Sequence, residues 1–155
     1  MLKVSKLLSL GLALAVLPIG AGVGNASQKP PSSAKALTKV VAALEKDGYQ
    51  IVEASFDDGR WELEGYREEN SYEIWVDPDT GKVLSTHRDD ADPLPPAGVQ
   101  TLSKILEAVE QAGYAPITSA EFERGRWEIE AYHDLAKREL QVDAKNGKVL
   151  SDRAD

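Results

Sequence analysis

The chain has 155 residues, with 18 Lys and Arg against 26 Asp and Glu, a formal net charge of −8, and no cysteine. So acidic a protein lacks the basic footprint that nucleic acid or an anionic lipid surface requires. Without cysteine it has no disulfide, no thiolate metal site and no lipid-attachment thiol, so its stability rests on packing.

The first segment reads as a targeting signal. Lys3 and Lys6 precede an apolar run from Leu7 to Ile19, broken by Ser9 and Gly11, and small residues follow up to Ala26. That order is the order of a secretory signal peptide (residues 1–26), with cleavage expected after Ala26. The apolar run is shorter than the roughly 18 residues of a spanning helix, so no stable membrane span is expected after cleavage. The mature chain is expected to be periplasmic or secreted. Beyond Ala26 it carries 16 basic against 26 acidic side chains. Charged partners are therefore expected to be cationic, and solubility alone is the competing account of the acidity.

Residues 27–36, containing Lys29-Pro30-Pro31-Ser32-Ser33, read as a flexible lead-in, with Ser33 placed to cap a helix. Leu37, Val40, Val41 and Leu44 then recur at helical spacing, and Gly48 offers a left-handed stop. After it the period changes to two. Val52, Ala54 and Phe56 alternate with Glu53, Ser55 and Asp57, which predicts a half-buried strand. Asp58-Gly59 turns the chain into a second strand, with Trp61, Leu63 and Gly65 facing inward and Glu62, Glu64 and Tyr66 outward. A third strand places Tyr72, Ile74 and Val76 inward and Glu73 and Trp75 outward. Asp77-Pro78-Asp79-Thr80-Gly81 leads into a fourth strand with Val83.

The whole pattern then repeats. Gly59-Arg60-Trp61-Glu62-Leu63-Glu64-Gly65-Tyr66 returns 66 positions later as Gly125-Arg126-Trp127-Glu128-Ile129-Glu130-Ala131-Tyr132. The helical stripe returns at an offset of 65 as Leu102, Ile105, Leu106 and Val109, stopping at Gly113. The one-residue difference is expected near Ala120, as a bulge or a longer loop. The sequence thus divides into a first repeat (37–89), a proline-rich linker (90–98) and a second repeat (99–155). The fold class is α+β, each repeat one helix packed on a four-stranded antiparallel sheet. A unit of about 50 residues is marginal alone, so the copies are expected to pack together or the chain to form a homodimer.

Each copy resembles a PepSY domain. The matching features are the helix ending in Gly48-Tyr49 or Gly113-Tyr114 and the strand Trp61-Glu62-Leu63-Glu64 or Trp127-Glu128-Ile129-Glu130. The closing hairpin from Val76 to Leu84, or from Val142 to Leu150, completes the match. The resemblance implies an α+β fold, a location outside the cytoplasm, and a protein-binding or inhibitory role, often toward peptidases. It implies no catalytic residues. No protease domain follows Asp155, so inhibition of a peptidase is expected to act in trans.

The residues themselves offer little chemistry, and nothing in them calls for a cofactor or metal. Counting from Asp77 as a calcium loop places Arg88 at the twelfth position, where a carboxylate is required, so a hairpin turn is the better account. His87 and His133 occupy non-equivalent places with no second ligand nearby in sequence. The pairs Glu62/Glu64 and Glu128/Glu130 project on one strand face, where acids serve solubility more often than catalysis. Trp61 and Trp127 are assigned to the core. The candidate partner-binding face comprises Glu62, Glu64, Tyr66, Glu73 and Trp75, exposed unless the two sheets stack face to face. Gln141 stands where Trp75 would recur, so the shared fold does not need an aromatic there. The function expected is therefore a non-enzymatic module binding an extracytoplasmic protein or peptide. A peptidase inhibitor acting in trans and a low-affinity cation binder are the alternatives.

Overall fold

A computed structural model of the protein describes residues 27–89 and 94–155. The expected signal peptide, its cleavage point and residues 90–93 of the linker lie outside these. The elements follow in the expected order: helix α1 (Leu37–Lys46), then strands β1 (Gln50–Asp57), β2 (Arg60–Arg67), β3 (Asn70–Val76) and β4 (Val83–Asp89). Helix α2 (Leu102–Gln111) begins the second copy, followed by β5 (Ile117–Glu123), β6 (Arg126–His133), β7 (Ala136–Asp143) and β8 (Val149–Ala154). Each repeat is one helix on a four-stranded antiparallel meander, as the periodicities dictate.

Both helices end as their glycines predict. Gly48 and Gly113 have φ of +90° and +96°. The following N–H groups reach back, Tyr49 to the Leu44 carbonyl at 3.1 Å and Tyr114 to the Val109 carbonyl at 3.3 Å. Such left-handed closures satisfy carbonyls that would otherwise be orphaned at the helix end. The helix starts differ from expectation. Ser33 does not cap α1; the N-cap is Ala36, and neither it nor Thr101 at the start of α2 makes a side-chain cap bond.

The cap is supplied by the other helix. Glu45, in the last turn of α1, accepts from the Ser103 backbone N–H at 3.0 Å and also from the Ser103 hydroxyl. Reciprocally, Glu110 in the last turn of α2 accepts from the Thr38 hydroxyl at 2.7 Å. The helices therefore lie antiparallel and side by side, each carboxylate at the positive end of its neighbour's dipole.

The repeats join through β1 and β5, which pair antiparallel with Glu53, Ala54 and Ser55 opposite Glu121, Ala120 and Ser119. The result is one eight-stranded sheet in the order β4-β3-β2-β1-β5-β6-β7-β8. The copies pack edge to edge; the face-to-face stacking that would bury the outward aromatics does not occur. Both helices cover one face over a single continuous core. Trp61 and Trp127 sit in it as expected, 0% and 1% exposed. Phe56 and Phe122 meet them edge-on at 5.1 and 5.3 Å.

Two register details correct the sequence reading. A bulge lies between Ile51 and Glu53 in β1, so Ile51 rather than Val52 enters the core. The same bulge recurs between Ile117 and Ser119 in β5 and is therefore common to both copies. The additional residue of the second copy is not near Ala120. It falls between Tyr114 and Ile117, where Ala115-Pro116 (a cis peptide) replaces the single Gln50. Ala115 N–H donates to the Tyr132 carbonyl at 2.7 Å and Tyr132 N–H to the Pro116 carbonyl at 3.0 Å, so the longer connection stays hydrogen-bonded to β6. The lead-in also makes definite contacts: Gln28 N–H donates to the Phe56 carbonyl at 3.0 Å and Lys35 N–H to the Pro78 carbonyl at 2.7 Å.

Replacing a capping group with alanine costs about 1 kcal/mol. Glu45→Ala is expected to lose that much in urea denaturation, and Glu110→Ala, which bonds only a side chain, to lose less. Equal midpoints for wild type and Glu45→Ala would show that the helices do not cap one another.

Candidate functional face

With both helices on one side, the other side of the sheet is left without a covering element among the described residues. Strand alternation sends every second side chain there, and the registers align them in rows across all eight strands. One row runs His87, Glu73, Glu64, Glu53, Glu121, Glu128, Gln141 and Ser151, each the Cα partner of the next. Five consecutive glutamates thus stand side by side through the seam. Directly opposed like charges disfavour one another, and this row concentrates negative charge along the seam.

The neighbouring row runs Ser85, Trp75, Glu62, Ser55, Ser119, Glu130, Glu139 and Arg153. Several of its acids meet cations: Arg60 reaches Glu62 at 2.6 Å, Lys137 bridges Glu130 at 3.0 Å and Asp155 at 3.1 Å, and Arg153 reaches Glu139 at 2.6 Å. Burial opposes the Lys137 charge, but its bonds to Glu130 and Asp155 outweigh that and raise its pKa. Between the rows lies a shallow trough of about 650 Å³ centred on the seam, into which Glu53, Asp57, Glu121, Glu128, Glu130, Glu139 and Asp155 project. Partial desolvation, reinforced by the charges of Glu123 and Glu128, pushes the Glu121 carboxyl above its ordinary value.

Of the candidate residues, Glu62, Glu64, Glu73 and Trp75 share this face. Trp75 is half-buried and held on three sides. The Arg60 guanidinium lies 3.8 Å from its ring centroid, Glu73 accepts its indole N–H at 2.9 Å, and the His87 ring meets it edge-on at 5.8 Å. Tyr66 differs from expectation. It is only 6% exposed, bordering a recess that Val52, Leu94 and Phe122 also line, so it offers little surface to a partner. In the second copy Gln141 takes the place of Trp75 and accepts from Arg126 at 2.8 Å, so the same arginine serves an aromatic ring in one copy and an amide in the other.

The remaining candidates are structural. Asp77 accepts from both the backbone N–H and the hydroxyl of Thr80 at 2.7 Å, which holds its carboxyl below the ordinary value and closes the hairpin. Asp143 does the same work through Lys145 N–H at 2.7 Å. His87 is 2.6 Å from the Ser85 hydroxyl, an i, i+2 contact on one face of edge strand β4 that the sequence reading passed over. Glu73, its partner across the strands, is already bonded to Trp75. Among the described residues no three His, Cys, Asp or Glu side chains converge to hold a metal ion, and no helix is long and apolar enough to cross a membrane.

A family model described as peptidase propeptide and YPEB domain matches residues 8–87 and 89–153. The chain belongs to this family, PepSY_2. Its two matched segments cover the two helix-and-meander units up to the last residues of β4 and β8, so the protein is a tandem pair of PepSY repeats fused into one sheet. Membership fits a non-enzymatic binding module and an extracytoplasmic location. No match is found among curated proteins. Solved structures of similar shape include a protein assigned as a lipoprotein from Clostridium difficile 630, with TM-score 0.47 and 19% identity over 79% of this chain and 95% of that one. A BLIP-like protein from Bacteroides fragilis NCTC 9343 aligns with TM-score 0.31 and 13% identity over 83% of this chain and 89% of its own. Both likenesses are too distant to carry function.

The raised Glu121 pKa gives the acidic row a pH signature. The folded protein holds this proton more tightly than the unfolded chain, so the destabilisation is complete above the raised value and is relieved as pH falls below the ordinary 4.5. Glu121→Gln is expected to stabilise the protein at neutral pH by about 0.5 kcal/mol, the scale of one cross-strand pair. The gain should vanish in denaturant melts at about pH 4; an equal gain at both pH values would mean that the charge is not its origin.

Proposed function

We propose that this protein is a non-enzymatic extracytoplasmic module that captures a basic protein or peptide on the open acidic face of its sheet. The single observation behind this reading is the row of five adjacent glutamates across the repeat seam. A cationic partner meets complementary charge along this row, which favours its capture over that of neutral or acidic partners. Trp75, stacked on Arg60 beside Glu62 and Glu73, supplies an aromatic anchor at one end of the row. Aromatic residues ringed by polar groups are a usual composition of interface centres.

A second reading is a peptidase inhibitor acting in trans, favoured by the propeptide description of the family. The two differ in what they require. Inhibition requires slowed proteolysis by an extracytoplasmic peptidase at micromolar protein; simple capture does not. A low-affinity cation site is the weaker alternative on the same carboxylates, and calcium titration with neither heat nor a melting shift would dispose of it.

The deciding experiment is a pull-down from the extracytoplasmic fraction, comparing wild type with Glu53→Gln/Glu121→Gln and with Trp75→Ala. Loss of a shared basic partner from both variants is expected, with affinity reduced about tenfold and weakened further by salt. Identical partner sets for all three would remove this face from consideration.

A further inference from the structure

The lead-in is fastened to the sheet from its first described residue. The Ser27 backbone N–H donates to the Glu130 carboxylate at 3.2 Å, and the Ser27 hydroxyl donates to the same carboxylate. That hydroxyl also lies 2.6 Å from the Thr118 hydroxyl, and the Ser27 carbonyl accepts from Lys137 Nζ at 3.4 Å. Gln28 N–H donates to the Phe56 carbonyl in β1 at 3.0 Å, and the Lys29 ammonium lies 4.6 Å from the Tyr132 ring centroid. A segment that precedes the first repeat is thus held chiefly by β5, β6 and β7 of the second.

The place of Ser27 in the sequence gives its contact with Glu130 a further meaning. Ser27 directly follows Gly24-Asn25-Ala26, with small residues three places and one place before it, the pattern behind which a leader peptidase cuts. Hydrolysis there breaks the C–N bond of the Ala26–Ser27 amide. The oxygen of the attacking water goes to the new Ala26 carboxylate and both of its protons go to the Ser27 nitrogen. The donor facing Glu130 is then an ammonium, and a hydrogen bond between ionised groups is about twice as strong as a neutral one. The surroundings favour that charge. Ser27 borders the trough into which Glu53, Asp57, Glu121, Glu128, Glu139 and Asp155 also project. The opposing cations are Lys137, shared between Glu130 and Asp155, and Arg153, bonded to Glu139.

We propose that the chain is cut between Ala26 and Ser27, and that the α-ammonium so formed is a structural ion, paired with Glu130 in the acidic trough and tying the lead-in to the second repeat. The occupant of this site is the chain's own new terminus, so the inference stands whether or not the acidic face captures a basic partner.

The test has two parts. The intact mass of the protein recovered from the extracytoplasmic fraction is expected to be that of a chain beginning at Ser27. The chain 27–155 with a free α-amino group is then compared with the same chain N-acetylated at Ser27, which keeps the N–H and removes the charge. At about pH 6.5, below the ordinary α-amino value of about 7.7–8.0, the free form is expected to have a folding equilibrium constant about two- to fivefold larger, the range of a partly exposed ion pair. Folding that favours the cation raises its pKa, so this advantage is complete below the ordinary value and is lost as pH rises through the raised one. Glu130→Gln is expected to erase the difference between the two forms. Glu107→Gln, which removes an exposed charge from α2, is expected to leave it unchanged. The proposal is overturned if the exported chain begins elsewhere or keeps its leader, or if the free and acetylated forms are equally stable. It is equally overturned if their difference is independent of pH or survives Glu130→Gln.

Discussion

The antiparallel pairing of β1 with β5 is the constraint from which the rest of the architecture follows. Each repeat alone would expose the edge of its first strand and bury too little apolar surface to be robust without disulfides. Pairing those two edges removes both exposed ladders and merges two small cores into one. It also places the copies about a local two-fold axis. That operation puts both helices on the same side and makes them antiparallel, so that Glu45 and Glu110 arrive at each other's helix starts. Neither helix carries its own side-chain cap because the neighbouring copy provides one.

The same pairing decides what the uncovered face looks like. Glu53 and Glu121 are unremarkable outward residues within their own repeats, and the two-fold makes them direct neighbours. Their cross-strand partners Glu64 and Glu128 extend the acidity on both sides. The excess of acid is thus concentrated where the two copies meet. The ion pairs of Lys137 and Arg153 lie farther out, toward the end of the second repeat. An acidic row that neither copy could form alone arises from joining them.

Divergence between the copies is equally informative. The arginine of the Gly-Arg-Trp-Glu segment is retained, yet Arg60 stacks on Trp75 while Arg126 bonds Gln141. The tryptophan of that segment is retained too, yet Trp61 is satisfied by Lys35 and Trp127 finds no acceptor among the described residues. In both cases the backbone plan is shared and only the partner changed.

Much of the molecule was legible in the residues. The helical stripes, the period-two strands, the glycine stops and the inward tryptophans are local patterns, set by backbone geometry and by which side chains avoid water. They determined two helix-and-meander units, and the family resemblance they carry holds. Boundaries set by hydrogen bonding across strands were less visible: the bulges at Ile51 and Ile117 shift which residue points inward, and alternation alone cannot reveal a shift of one. Tyr66 is more buried than alternation implies, because alternation gives a side but not the neighbours that bury a ring. Above all, the sequence by itself determined what each repeat is, because those forces act within about ten residues. Only the tertiary structure decided that β1 meets β5, and with it the acidic row and the reciprocal caps, because edge pairing between distant strands depends on backbone groups that every sequence shares.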